Sequence, residues 1–106
     1  MELKGLLGFI EVEDERLRKR YGSLSNKEEV ILARTVKLGE EFGELCEEVL
    51  AYNSLQRKQK LDNHDKENLP EEFADVIITT LLLAKSMNVS IETALEKKMQ
   101  KLNQRI

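Results

Sequence analysis

The sequence predicts an all-α fold, and three observations support that fold class. Apolar residues recur at the three- and four-residue spacing of a helix, almost no segment alternates as a strand does, and the chain contains a single proline. With 106 residues, we expect one domain over residues 1–106. The predicted architecture is a four-helix, bundle-like domain with two acid-bearing central helices, which assembles as a homo-oligomer because its core is small.

Each of the four helices has recognisable start or stop signals. The helices are expected over residues 3–21, 26–57, 70–87 and 91–104. Gly22 ends the first helix after a basic run that compensates the helix dipole. Ser25 stands at capping-box spacing from the glutamate three residues later, and Asn68 and Ser90 are N-cap candidates for the last two helices. Asn88 is suited to a left-handed cap at the end of the third.

The middle of the second helix carries two rows of side chains. At about 100° of rotation per residue, one row is apolar and is expected to be buried: Leu38, Phe42, Leu45 and Val49. A neighbouring row at the core boundary is acidic: Glu41, Glu44 and Glu48. Like charges at this spacing repel by a few tenths of a kcal/mol per pair, and Lys37 compensates only part of that repulsion. For this helix alone, a solvated acidic face is an equally good interpretation.

The third helix favours a site over a solvated face. It is apolar nearly all round, yet Glu72 and Asp75 project from one side, with Thr79 one turn further along. Burying an unpaired carboxylate costs several kcal/mol, so these groups must protonate, pair with cations or bind metal. Two acidic rows on neighbouring helices are typical of a hard-cation site, and Mg²⁺ fits best because it prefers oxygen ligands and substrate phosphates.

The two acidic motifs resemble those of a known family. The pattern EExxE at residues 40–44 and ExxD at residues 72–75 is similar to that of the MazG-like all-α nucleoside triphosphate pyrophosphohydrolases, and the likeness covers residues 35–105. The resemblance implies hydrolysis of a (deoxy)nucleoside triphosphate to the monophosphate and pyrophosphate, in nucleotide-pool house-cleaning. It also implies Mg²⁺, with Mn²⁺ as a possible substitute, held by Glu41, Glu44, Glu72 and Asp75.

The resemblance also suggests individual roles. Glu41 is the first candidate for the general base and Glu44 the second. The basic last helix is expected to contact substrate phosphates through Lys98, Lys101, Asn103 and Arg105. The expected partners are a nucleoside triphosphate and further copies of the chain, as a dimer or a dimer of dimers.

Two alternatives remain open. Phosphoribosyl-ATP pyrophosphohydrolase looks similar in its acidic helices and splits the same kind of bond. A non-catalytic helical oligomerisation module, with an acidic patch that binds a basic partner, would also explain the pattern.

Composition excludes several other classes. The net charge is −3, and no basic face outweighs the acids, so nucleic-acid binding is not expected. No apolar run approaches the ~18 residues of a membrane span. Cys46 is the only cysteine, which argues for a cytoplasmic protein with a buried, inert thiol. The polar segment over residues 56–68 is expected to be a loop that could act as a lid. His64 lies in this segment and is expected to be exposed.

Overall fold

The computed structural model describes residues 1–21, 26–53 and 68–105, and every regular element in those ranges is an α-helix. The helices are α1 (Leu3–Tyr21), α2 (Lys27–Tyr52), α3 (Asn68–Ser86) and α4 (Ile91–Asn103). The all-α fold class is confirmed. The helix α2 ends at Tyr52 with Asn53 as its C-cap, and the rest of the predicted second helix, residues 54–57, lies outside the described residues. The predicted loop and His64 lie outside the described residues.

The helix ends are set by local hydrogen bonds. Asn26 caps α2: its Oδ1 accepts from the backbone N–H of Glu29 at 2.8 Å, and its Nδ2 donates to the Glu29 carboxylate at 3.3 Å. Asn26 is therefore the N-cap, one residue after the predicted capping residue Ser25, which is outside the described ranges. Asn88 has a φ of 57°, and the Val89 N–H donates to the Ala84 carbonyl at 3.0 Å. The predicted left-handed cap is therefore confirmed.

The helix α3 is the centre of the fold. It packs along α2 and, over a shorter length, against α1. The buried apolar core consists of Ile10, Leu81 and Leu82, with these side chains packed around it: Leu6, Leu7, Leu17, Ile78 and Ile91. Since Ile91 opens α4, the last helix is anchored at its first turn.

A buried ion pair joins the three packed helices. Arg34 Nη1 of α2 donates to Asp14 Oδ1 of α1 at 2.7 Å and to the Leu82 carbonyl of α3 at 3.0 Å. Both charged side chains are 4% exposed. The second Asp14 oxygen accepts from Arg18 Nη2 at 2.9 Å. This network fixes how α1 sits on the α2–α3 pair.

The apolar row of α2 that the sequence indicated is only partly buried, because Leu38, Leu45 and Val49 are half-buried and Phe42 is 58% exposed. Glu41, in contrast, is 7% exposed and lies on the most buried face of the helix. The expectation that Glu41 lies only at the core boundary is therefore wrong. The reason is that α3 packs against the side of α2 that carries Glu41, and the apolar row lies at the margin of that contact.

Much apolar surface of the single chain is uncovered. On α4, Leu95, Met99 and Leu102 are all exposed. Cys46 is also exposed, so the expected burial of its thiol is wrong. In the described ranges, no helix taken singly has the length and hydropathy to cross a membrane, although α3 and α4, bent by 112°, meet those criteria as a pair.

Candidate metal centre

Three carboxylates converge where α2 and α3 pack together. Glu41 of α2, with Glu72 and Asp75 of α3, each offer one oxygen, and these three oxygens lie within 4.8 Å of one another. Glu72 and Asp75 are three residues apart, so they project from the same side of α3. Because that side faces the buried Glu41, helix packing alone assembles the group. We call these three residues the carboxylate cluster.

Two oxygens of the carboxylate cluster have no hydrogen-bond partner. Glu41 Oε2 and Glu72 Oε2 are both buried and unpaired. The other Glu41 oxygen accepts from Lys37 Nζ at 3.1 Å, so Lys37 satisfies one side of the carboxylate and leaves the other available. Unpaired buried carboxylate oxygens are costly. A hard divalent cation with oxygen ligands would satisfy both, so the cluster fits Mg²⁺.

The charges around the carboxylate cluster also favour a bound cation. Burial raises the pKa of the Glu72 carboxyl above its ordinary value, and the neighbouring charges of Glu44, Asp75, Glu41 and Glu48 raise that pKa further. The second of these causes is an accumulation of negative charge that the described residues compensate only in part. A cation would reverse the direction of this shift by stabilising the ionised form.

Lys37 belongs to the electrostatics of the cluster. Its hydrogen bond to Glu41, and then the charge of Glu41, raise the pKa of its ammonium group. Lys37 also lies 3.8 Å from the Glu40 carboxylate. It therefore remains charged and holds Glu41 in place, as the four-residue spacing suggested.

The predicted acidic residues are only partly brought together. Glu44 is exposed and lies outside the carboxylate cluster, although its charge reaches Glu72. Glu48 is half-buried, and its charge also raises the pKa of Glu72. Its position in the acidic row, two turns after Glu41, is the signal in the sequence for this effect.

The predicted phosphate contacts lie on α4 and just after it. Lys98, Lys101, Asn103 and Arg105 are all exposed, and no hydrogen bond or ion pair among the described residues joins them to the carboxylate cluster. Since α4 leaves α3 at a bend of 112°, it does not run back alongside α3 past the cluster.

A stability measurement checks the raised pKa of Glu72. Between the ordinary carboxyl pKa and its raised value, the folded protein holds more protons than the unfolded one, so the free energy of unfolding falls as pH rises through that window. Without metal, Glu72→Gln is therefore expected to be more stable than the parent at neutral pH and equal to it below the window. Thermal unfolding in chelator across pH measures this, with Glu71→Gln as control. Parallel curves for parent and Glu72→Gln would contradict it.

Comparisons with known proteins identify the family of the chain. The profile of the MazG nucleotide pyrophosphohydrolase domain matches residues 29–106. The chain is 36% identical over 74 residues to the uncharacterized protein YpjD of Bacillus subtilis (strain 168), an alignment that covers 70% of this chain and 65% of YpjD. The chain thus spans about two thirds of that relative's length, and no solved structure matches it. On the match over α2, α3 and α4, the chain belongs to the MazG nucleotide pyrophosphohydrolase domain family.

Proposed function

We propose that the chain is a Mg²⁺-dependent nucleoside triphosphate pyrophosphohydrolase, which hydrolyses a (deoxy)nucleoside triphosphate to the monophosphate and pyrophosphate. The observation that carries the proposal is the carboxylate cluster, with two buried and unpaired oxygens at the α2–α3 contact. Mn²⁺ is expected to substitute for Mg²⁺ because it accepts the same oxygen ligands. A role in removing unwanted nucleotides from the cellular pool suits this reaction.

The residues in and around the cluster have different proposed roles. Glu41, Glu72 and Asp75 would hold the cation, which when bound neutralises charge on phosphate oxygens and lowers the pKa of a bound water. Lys37 positions Glu41 through its 3.1 Å contact. Glu41 and Glu44 are the two candidate general bases. Because Glu41 is committed to the cluster and to Lys37, Glu44, which lies outside the cluster, is the freer proton acceptor.

The contacts of α1 support a single domain over residues 1–106. The family match begins at residue 29, after α1. However, Ile10 of α1 belongs to the buried core, and Asp14 of α1 is paired with Arg34. The helix α1 is therefore built into the fold that carries the site.

Substrate phosphates need positive charge that the cluster itself lacks. Lys98 and Lys101 on α4, and Arg105 just after it, would supply that charge, and Asn103 would add a neutral amide donor. From Asp75 to Ser86, α3 rises about 16 Å, and α4 then leaves it at a bend of 112°. We propose that these side chains act in the site of a neighbouring copy, with the complete site at a subunit boundary.

The surface of α2 supports such an assembly. An exposed stripe lies opposite the cluster and consists of Leu32, Gly39, Gly43 and Leu50. Nothing lies within 4 Å of a Cβ built on either glycine, so another helix can approach closely here. On α3, Phe73 and Ile77 are 49% and 53% exposed. Apolar surface of this extent is typical of an interface, and we propose dimers or pairs of dimers.

Disrupting the stripe should change the oligomeric state. Leu32→Glu is expected to shift the protein to a smaller species, because the substitution places a charge in the proposed contact. Gel filtration with light scattering measures the molar mass, and Lys19→Glu on the exposed side of α1 is the control. An unchanged mass for Leu32→Glu would remove this surface from the interface.

Two assays test the proposed function. Pyrophosphate release is screened over deoxynucleotides, ribonucleotides and phosphoribosyl-ATP, with and without Mg²⁺. Release from nucleoside triphosphates is expected, whereas release from phosphoribosyl-ATP alone would favour the second enzyme. Mg²⁺ together with a non-hydrolysable triphosphate is expected to raise Tm by mass action. No release and no rise in Tm would instead favour a non-catalytic oligomerisation module.

A further inference from the structure

A cavity of about 250 Å³ lies between α1, α2 and α3, beside the carboxylate cluster. Its apolar walls are formed by Leu17, Ala33, Val36 and Leu82, and its polar lining includes Arg34. Apolar walls with a few fixed polar groups are typical of a site for a small organic ligand.

The hydrogen bonds of Arg34 are incomplete. Its Nη1 donates to Asp14 Oδ1 and to the Leu82 carbonyl. Its Nε and Nη2 are buried with no hydrogen-bond partner. A guanidinium carries five N–H donors, and buried donors without acceptors are costly. The N–H groups of Nε and Nη2 point the same way along one edge, which binds two adjacent acceptors at once. We call this pair of donors the Arg34 edge.

The charge around the cavity disfavours a phosphate as the occupant. The charge of Arg34 is paired with Asp14 at 2.7 Å, and that of Lys37, which also lines the cavity, is paired with Glu41. Glu40 adds a carboxylate to the lining. A group suited to this cavity is flat and uncharged, with acceptors on one side.

The cavity shares residues with the surroundings of the carboxylate cluster. Lys37 lines the cavity and contacts Glu41. Thr79 lines it too, and its hydroxyl donates to the Asp75 carbonyl at 2.6 Å. Arg34 precedes Glu41 by about two helical turns, or 10 Å along α2. A nucleotide with its phosphates at the cluster can therefore place its base in the cavity.

We propose that this cavity holds the nucleobase of the substrate, and that the Arg34 edge selects bases that present two adjacent hydrogen-bond acceptors. Guanine presents O6 beside N7, and cytosine presents O2 beside N3. Adenine offers N7 beside a donating amino group, and thymine and uracil place an N–H between their carbonyl oxygens. The selection rests on the proposed function and adds a substrate class to it: guanine and cytosine nucleotides are preferred over adenine, thymine and uracil nucleotides.

The test compares kcat/KM for dGTP, dCTP, dATP and dTTP in the parent and in Arg34→Lys. A bidentate contact is lost in the variant, whereas the positive charge opposite Asp14 is kept. The parent is expected to prefer dGTP or dCTP by about 10- to 100-fold, mostly through KM, and Arg34→Lys to lose that preference. If dGTP is preferred, 7-deaza-dGTP, which lacks the N7 acceptor, is expected to behave as dATP does. Equal kcat/KM for all four bases, or the same ratios in Arg34→Lys, would overturn the proposal.

A second variant leaves the buried ion pair intact. Ala33→Leu narrows the cavity from its wall and is expected to raise KM for the preferred nucleotide at least about 10-fold, while Thr35→Leu, which does not line the cavity, is expected to leave KM unchanged. An unchanged KM in Ala33→Leu would also count against the cavity.

Binding of monophosphates separates this inference from the proposed function. Calorimetry of dGMP, dCMP, dAMP and dTMP without metal reports base selection in the absence of chemistry. Base-dependent binding that disappears in Arg34→Lys, in a protein that releases no pyrophosphate, would keep the cavity assignment and reject the enzyme. Pyrophosphate release from all four triphosphates at equal efficiency would keep the proposed enzyme and reject the cavity assignment.

Discussion

Asp75→Asn is expected to lower Mg²⁺-dependent pyrophosphate release by at least about 100-fold, with an unchanged helical circular-dichroism spectrum. Asp75 supplies one of three oxygens that lie within 4.8 Å of one another. An amide cannot provide the negative charge that a divalent cation requires from this position, and even residues that only orient metal ligands are worth about 10- to 100-fold. Pyrophosphate release over a range of Mg²⁺ concentrations measures the loss.

Two further substitutions make this result specific. Glu47→Gln removes an exposed carboxylate from α2, outside the cluster, and is expected to retain parental activity. Glu44→Gln is expected to lose activity but to keep the rise in Tm caused by Mg²⁺, because Glu44 lies outside the cluster and is proposed as a base. Full activity in Asp75→Asn would exclude the carboxylate cluster as the metal site. Loss of the Mg²⁺ effect in Glu44→Gln would make Glu44 a metal ligand instead.

The helices could be predicted because the signals for them are local. Periodicity and caps act within about one turn, so Asn88 and Ser90 were identified from the residues around them, and both act as predicted. Glu72 and Asp75 were also identifiable, because two acids on one side of an otherwise apolar helix have few explanations.

The face of α2 that is buried could not be predicted from the sequence. Its apolar row and its acidic row lie side by side, and periodicity favours burial of the apolar one. The choice depends on which face α3 covers, and α3 covers Glu41, leaving Phe42 58% exposed. In the proposed function, a bound metal would offset the cost of burying Glu41, and a second copy would cover Phe42. Neither contribution is visible in the hydropathy of one chain.

The Asp14–Arg34 pair was missed for a different reason. Its partners lie on different helices, and no spacing rule connects them. One signal was present: Asp14 continues the row of Leu6, Ile10 and Leu17 along α1, where an apolar residue is expected. A single acid in an apolar row indicates a buried partner, but it does not identify which of many cations that partner is.

Asp14→Ala is expected to destabilise the fold strongly while leaving the carboxylate cluster untouched. Removing Asp14 leaves Arg34 charged and 4% exposed, with only the Leu82 carbonyl as an acceptor. Breaking a buried pair in this way costs about 3–5 kcal/mol. For a domain of this size, each kcal/mol lowers Tm by roughly 4–8 °C. Thermal and urea unfolding measure the loss.

Comparison with an exposed pair and with a double substitution shows whether the cost comes from an unpaired charge. Glu15→Ala, one residue further along α1, breaks a 3.7 Å contact to Lys19 between exposed side chains and is expected to change stability by less than about 0.5 kcal/mol. Asp14→Leu combined with Arg34→Met removes both charges and is expected to recover most of the stability. If the double variant is as unstable as Asp14→Ala, the pair itself holds the three helices together. If the double variant recovers stability but loses base discrimination, the role of Arg34 is to select the base of the substrate. The role of Asp14 is then to compensate the charge of the buried Arg34.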